Sequence, residues 1–325
     1  YTGATTISAG TLQVGSGGTT GAISAASAVT NNGTLAFNRS NSFTFSNVIS
    51  GSGGVSQIGS GTTTLSGANS YGGGTTISAG TLSVANDGNL GNASGGITFN
   101  GGTLSTSTSF ASNRAVTLNA GGTVNTNGNT LTLGGAITGS GRLTKAGGGT
   151  LVLAGTDTHS GGTTISAGTL QVGNATTAGT LAGNVTDNAA LVFANTAAPI
   201  AGVISGSGTV SKTGSGTTAL TGNNTYTGAT TISAGTLQLG NSGTSGSILG
   251  NVANNGTLAF NRSDIATFAG AISGNGGLNQ MGPGTTILTA SNSYGGGTLI
   301  SGGTLQLGAG GTSGSMSGDV VDNGT

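Results

Sequence analysis

The amino-acid sequence predicts an all-β chain wound as a parallel β-helix, a β-solenoid of about 15 coils of roughly 22 residues each. Three observations predict it. A cassette led by an aromatic or imidazole ring recurs along the 325 residues, with copies at Tyr1, Tyr71, His159, Tyr226 and Tyr294. Short runs alternate apolar and polar side chains, which is the period of half-buried strands. The 70 glycines punctuate those runs while prolines number only 2, as tight turns between many short strands require.

Each cassette runs from its ring through a Thr-Thr-Ile-Ser-type strand to a Gly-Thr-Leu-Gln-Val/Leu strand. The five rings are separated by 70, 88, 67 and 68 residues. The long interval exceeds the others by about one coil, which suggests a sub-period of about 22 residues, three per ordinary unit and four in the long one. The expected organisation is one continuous solenoid over residues 1–325, with units 1–70, 71–158, 159–225, 226–293 and a partial 294–325. The chain opens at a ring and stops within Asp322-Asn323-Gly324-Thr325, partway through an element, so it reads as an excerpt from a longer array.

Within a unit the strands follow from local pattern. Thr11-Leu12-Gln13-Val14 alternates polar with apolar, and Leu35/Phe37, Phe43/Phe45, Thr63/Leu65, Val116/Leu118, Leu131/Leu133, Leu237/Leu239 and Leu305/Leu307 repeat the period. Glycine closes such runs, for example at Gly15, Gly80, Gly173 and Gly240. No stretch shows i, i+3, i+4 apolar spacing, so essentially no helix is expected. One coil cannot bury its own Ile and Leu side chains; stacked neighbours complete the core. Each coil adds about 4.8 Å, so some 15 coils predict a rod on the order of 70 Å long.

Two further elements recur between the rings. One is G-S-G-G-V-S-Q-I-G-S-G-T-T-T-L from Gly51, echoed from Gly139, Gly206 and Gly274. The other is N-N-G-T-L-A-F-N-R-S from Asn31, repeated from Asn254 and degenerate at Asn188.

Composition excludes several function classes. Six basic and six acidic residues give a net charge of zero, so no electrostatic attraction to nucleic acid or an anionic membrane is expected. No apolar run approaches the roughly 20 residues of a membrane helix, so no direct membrane insertion by this segment is expected. Cys is absent, which rules out disulfides and thiolate metal sites and suits a chain exported unfolded through an oxidising compartment.

Joined together, the recurring pieces read G-S-G-x-[L/V]-x-[K/Q]-x-G-x-G-T-x-x-L-x-G-x-N-x-Y-x-G-x-T-x-I-S-x-G-T-L-Q-[V/L]-G. This closely resembles the passenger-associated repeat of bacterial autotransporters, the type V secreted surface proteins, and the resemblance extends over essentially the whole chain. It implies a right-handed parallel β-helix displayed at the surface of a Gram-negative cell, and a repeat associated with export and folding rather than catalysis. It further implies that the full-length protein carries a signal peptide and an outer-membrane β-barrel translocator, neither of which lies within this sequence.

Among individual residues, none is assigned a catalytic, cofactor-binding or metal role. His159 is the single histidine, flanked by Asp157 and Ser160. Neighbours on an extended chain project in different directions, which is poor geometry for a hydrolase triad, and His159 stands where the other copies carry Tyr. It is expected to be a structural ring. Asp87, Asp157, Asp187, Asp264, Asp319 and Asp322 show no pair at coil spacing, which a glycosidase or a Ca²⁺-dependent lyase would want. Lys145 and Lys212 share a repeat position with Gln57 and Gln280, and Arg39 and Arg262 share Phe-Asn-Arg-Ser, with Arg114 in a related setting. These cations are expected to line a solvated edge, with the long polar stem mattering more than the charge. Thr62-Thr63-Thr64 and Thr130-Leu131-Thr132 suggest an ice- or crystal-binding face, but Thr-x-Thr does not recur at one place in every coil, so no regular face is expected.

The expected function is a non-enzymatic, surface-displayed adhesive or structural segment (a stalk, fibre or adhesin). Expected partners are an identical copy, rod to rod or end to end, or surface glycans, with no cofactor and no nucleic acid. The alternative is a β-helical polysaccharide-active enzyme, or a stalk for a catalytic domain elsewhere.

Overall fold

In a computed structural model of the chain, residues 3–196, 198–310 and 313–323 are described; the ring position at Tyr1 lies outside them. Alternation produces the strands the sequence leads one to expect. In Thr62–Leu65, Thr63 and Leu65 are buried while Thr62 and Thr64 are half-buried, and Thr81–Val84 repeats the pattern. Helix is confined to one short 3₁₀ turn, Asp87–Leu90, among the described residues. Strands pair in parallel with strands one coil away, so the crossover that a parallel pair needs is the remainder of the coil itself. The fold is all-β and solenoidal, with about 16 turns in total.

The chain divides into two compact units, one up to residue 168 and one from residue 169. In the first unit, one column stacks Thr11–Val14, Thr34–Phe37, Gly54–Gln57, Thr75–Ile77 and the first halves of Ile97–Thr106 and Val116–Asn125. A second column stacks Phe43–Phe45, Thr62–Leu65, Thr81–Val84, the second halves of those two long strands, Leu143–Ala146 and Thr163–Ile165. A third face carries Thr5–Ile7, Val29–Asn31 and Ile49–Ser50 at one end of the unit and Phe110–Ser112, Thr130–Leu133 and Thr150–Leu153 at the other.

The second unit has the same plan. One column holds Ala190–Phe193, Thr209–Lys212, Thr230–Ile232, Val252–Asn254 and Ile272–Ser273. The next holds Thr217–Leu220, Thr236–Gly243, Thr257–Arg262, Gly277–Gln280, Thr298–Ile300 and Val320–Asp322. The last holds Ile265–Phe268, Thr285–Leu288 and Thr304–Leu307.

Stacking aligns inward side chains into ladders. Val14, Phe37, Gln57, Ile77, Phe99 and Leu118 stand in register, all buried. Each buried apolar member contributes roughly 1.5–3 kcal/mol. Close stacking also fixes turn residues. At Gly51, with φ +99°, an added Cβ would stand 2.3 Å from the Asn31 carbonyl oxygen one coil away, so only glycine closes that corner.

The relation of the coil to the cassette differs from the expected three whole coils per ordinary unit. Residues paired between strands lie 19 to 24 positions apart, with 20 common, so the coils scatter around the expected length of roughly 22. An ordinary unit is therefore three coils plus one further face. The Thr-Thr-Ile strand of the second cassette, Thr75–Ile77, stacks in the column that began with the Thr-Leu-Gln strand of the first, Thr11–Val14. Thr163–Ile165 of the third cassette likewise joins the column of Thr81–Val84 from the second. In the other unit, Thr298–Ile300 of the fifth joins the column of Thr236–Gly243 from the fourth. Successive cassettes thus step by one face, and the 88-residue interval keeps the same step with one coil added.

Candidate functional site

The ring that heads each cassette after the first is buried. Tyr71, Tyr226 and Tyr294 are inaccessible, and their hydroxyls meet Thr75, Thr230 and Thr298 at 2.7, 2.7 and 2.5 Å. Burial pushes the Tyr71 and Tyr226 phenols up to about 12. Two residues before each of these three tyrosines stands a buried Asn whose side-chain oxygen accepts a backbone N–H from the preceding coil. Asn69 accepts from Ile49, Asn224 from Ile204 and Asn292 from Ile272, each at 2.9 Å. These residues form a structural cross-brace, Asn-x-Tyr.

The third cassette replaces the brace with Asp157-Thr158-His159. Asp157 is 4% and His159 0% exposed, and the His159 Nδ1–H donates to the Asp157 carboxylate. The two do meet, contrary to the expectation that neighbours diverge, because positions i and i+2 of an extended chain share a face. His159 Nε2 donates to the Gly162 carbonyl at 3.0 Å. Burial opposes the charged imidazole, but the Asp157 carboxylate and the Gly162 carbonyl raise the His159 pKa above its ordinary value. Both ring nitrogens are thereby engaged as donors, and Ser160 is exposed on the opposite side of the chain. No free lone pair is left to act as a base toward Ser160. The constellation is a buried ion pair that replaces a neutral brace.

The Lys/Gln position is also interior, which overturns the solvated-edge expectation. Gln57, Lys145, Lys212 and Gln280 are all buried. Each caps the turn that follows it. The Gln57 amide donates to Gly59 and Gly61 carbonyls at 2.8 and 3.3 Å, and the Gln280 amide to Gly282 and Gly284 at 2.9 and 3.3 Å. The Lys145 ammonium donates to Ala146, Gly147 and Ala167 carbonyls at 3.0, 2.7 and 3.0 Å, and Lys212 donates to Gly214. The sequence signal was present: Lys145 lies two residues after Leu143, on the inward phase of the strand.

Burial pushes the Lys145 amine down to about 8 and lowers Lys212 as well. A depressed lysine binds fewer protons in the native than in the unfolded chain between pH 8 and 10.5, so stability rises with pH across that window. For Lys145 the rise is about 3 kcal/mol. Urea unfolding of wild type and Lys145→Gln side by side is expected to show this rise reduced in the variant, while tyrosine ionisation cancels in the difference.

Three of the four arginines pin loops. Arg114, 2% exposed, binds both Asp87 carboxylate oxygens at 2.8 and 3.1 Å, together with the carbonyls of Asp87, Gly91, Asn92 and Gly95. Arg262 binds Asp264 and the Thr244 and Gly246 carbonyls, and Arg39 binds Asn41 and the Thr19 and Gly21 carbonyls. In each case the arginine lies one coil after the loop that leaves a Thr-Leu strand. The fourth, Arg142, is exposed and reaches Thr164 at 2.9 Å.

The outer faces are hydroxyl-rich. In the first unit Thr62, Thr81, Thr103, Thr123, Thr144 and Thr164 stand in strict register on six successive coils. Thr76, Thr98, Thr117 and Thr138 do the same in the neighbouring column. A regular threonine face therefore exists, although Thr-x-Thr is not kept: the companion positions are Thr64, Ser83, Ser105, Asn125 and Ala146. Variable coil length hides this register in the linear sequence.

The passenger-associated-transport-repeat family matches residues 1–14, 55–84, 143–172, 210–239 and 278–307. These are the segments whose strands, caps and braces are described above. The chain carries the repeats of autotransporter passengers. It is 43% identical over 99 residues to the Adhesin BmaC autotransporter of Brucella suis biovar 1 (strain 1330), a stretch that is 30% of this chain and 3% of that protein. The chain thus spans a small fraction of that relative's length. No solved structure matches it. Carrying those repeats, it belongs at the surface of a Gram-negative cell.

The structure gives the passenger repeat a physical definition. Within residues 55–84, Val55 pairs with Thr75 and Thr62 with Thr81. Within 210–239, Val210 pairs with Thr230 and Thr217 with Thr236, and 278–307 repeats this with Leu278–Thr298 and Thr285–Thr304. The repeat is one and a half coils, long enough to pair with itself.

Proposed function

We propose that this segment is a non-catalytic, adhesive and load-bearing stretch of its passenger that contacts neutral, hydroxyl-rich partners, either surface glycans or a second copy of the chain. One observation carries the reading: Arg114, Lys145, Lys212 and the Asp157–His159 pair are buried, while the first unit turns out a ladder of threonine hydroxyls from Thr62 to Thr164, with the exposed Arg142 at one end of it bonded to Thr164. Repetition of one weak hydrogen-bonding contact at about 4.8 Å intervals supplies avidity without a deep pocket. Four of the six carboxylates do not support hydrolysis: Asp87 and Asp264 are bound to arginine, Asp157 to His159, and Asp187 is buried, so these four offer no free pair of the kind that glycoside hydrolysis requires. The adhesin name of the Brucella relative supports the same reading.

The test is adherence and aggregation of cells that display the passenger with Thr103, Thr123 and Thr144 replaced together by Asp. Three charges on a hydroxyl face are expected to lower adherence at least tenfold with unchanged circular dichroism. Full adherence by a folded triple variant would refute the assignment of the contact to this face.

A further inference from the structure

The element Asn31–Ser40 and its copy Asn254–Ser263 continue into segments that differ at three adjacent places. Asn41, Ser42 and Phe43 in the first unit correspond to Asp264, Ile265 and Ala266 in the second. In the first unit the Phe43 ring sits under the Arg39 guanidinium, 4.4 Å from its central carbon, with the rings of Phe37 and Phe45 at 6.4 and 6.2 Å. The three equivalents of those neighbours, Arg262, Phe260 and Phe268, are kept in the second unit, with the two rings 5.6 Å apart. The ring they would surround is gone. In its place lies a cavity of about 410 Å³ lined by Phe260, Arg262, Ala266, Phe268, Leu239 and Thr286, among others.

A second change points the same way. Where the first unit has the small polar Ser42, the rim of the cavity carries Ile265, which is 71% exposed. An exposed isoleucine beside an emptied aromatic seat is an apolar contact without an internal partner. The polar groups at the rim are already engaged. Arg262 is held by Asp264 and the Thr244 carbonyl, and the Asn223 side-chain oxygen accepts from Gly246 and Ser247. That leaves few groups for the hydroxyls of a sugar, and it leaves the face of a guanidinium open to a π-system.

We infer that this cavity is a binding site for an aromatic side chain, of the phenylalanine or tyrosine type, presented by a partner polypeptide. The ring would rest against the Phe260 and Phe268 pair as Phe43 rests against Phe37 and Phe45, stack beneath Arg262 as Phe43 does beneath Arg39, and set its outer edge on Ile265. The site is independent of the hydroxyl face, since it lies in the other unit and its variants leave the ladder from Thr62 to Thr164 untouched.

The experiment titrates N-acetyl-tyrosinamide, N-acetyl-leucinamide and methyl β-glucoside into the 325-residue chain, followed by the amide resonances of Ala266 and Phe268. The tyrosine amide is expected to saturate one site, at least tenfold more tightly than the leucine amide, and the glucoside is expected not to bind. Ala266→Phe refills the seat from within and is expected to abolish binding while the chain stays folded. Phe43→Ala empties the equivalent seat in the first unit and is expected to add a second site. Tyrosine-amide binding that survives Ala266→Phe, equal binding of the leucine amide, preference for the glucoside, or absence of binding would each overturn the inference.

Discussion

His159→Tyr alone is expected to destabilise the first unit by about 3–5 kcal/mol, and Asp157→Asn alone by a comparable amount, because each single change strands one half of a buried ion pair. The double variant is expected to return to within about 1 kcal/mol of wild type, a coupling that contacting residues can show. The reason is written elsewhere in the chain: Asn69/Tyr71, Asn224/Tyr226 and Asn292/Tyr294 occupy the same positions as a neutral brace. A new Tyr at 159 would find Thr163 four residues on, as Tyr71 finds Thr75 at 2.7 Å. The pair also carries a pH signature. The folded pKa of His159 is raised above 6.5, so its contribution is fully present below pH 6.5 and is lost as pH rises through the folded value. Urea unfolding across this range should show the loss in wild type and not in the double variant. A double variant as unstable as the sum of the singles would show that the brace and the ion pair are not equivalent.

Asp187→Asn is expected to stabilise the second unit by about 3 kcal/mol at pH 7 and by little at pH 3.5. Asp187 stands where Asn31 and Asn254 stand in the other copies. Those amides donate to the Gly54 and Gly277 carbonyls at 2.8 Å and accept from Gly33 and Gly256. Asp187 keeps the acceptor role, with the Ala189 N–H at 3.0 Å, but its second oxygen is buried with no partner. Burial raises its pKa to about 6, against the Ala189 N–H that lowers it. Between about pH 4 and 6 the native state therefore holds a proton that the unfolded chain has released, and stability falls as pH rises through that window. The amide supplies the missing donor at every pH. A variant whose stability tracks wild type from pH 3.5 to 7 would refute the assignment.

Both effects bear on how legible the molecule was in its sequence. Strands such as Thr11–Val14 were readable because a half-buried strand must alternate, and Thr-Leu-Gln-Val does. The family resemblance was readable because glycine corners such as Gly51 tolerate no side chain. The stepping of cassettes from face to face was not readable. Alternation is the same on every face of a solenoid, so the sequence does not say that Thr75–Ile77 lies beyond Gly54–Gln57 in the column begun by Thr11–Val14. For the same reason the threonine ladder was missed: Thr81 and Thr103 are 22 residues apart but Thr62 and Thr81 only 19, and a fixed period scatters them.

The interior charges were misplaced for a different reason. Charge ordinarily argues for solvent, yet a coil corner turns several carbonyls inward, and a Lys or Gln on the apolar phase of its strand is what those carbonyls need. Lys145 and Gln57 interchange because both donate to the same Gly-x-Gly corner. The Asp157–His159 pair was hidden by treating sequence neighbours as divergent when residues two apart on a strand share a face.

Adhesion through threonine hydroxyls rather than charges is tested most directly by its salt dependence. Surface charges separated by more than about 10 Å are largely screened at 0.1 M salt, and the screening length is about 3 Å at 1 M. Adherence of passenger-displaying cells should be measured from about 0.01 to 1 M NaCl, the range over which that screening length contracts from about 30 to 3 Å. A contact made by threonine hydroxyls predicts adherence constant to within about twofold over that range. A steep fall with salt would mean that charges such as Arg142 or Asp319 make the contact, and would contradict the central claim.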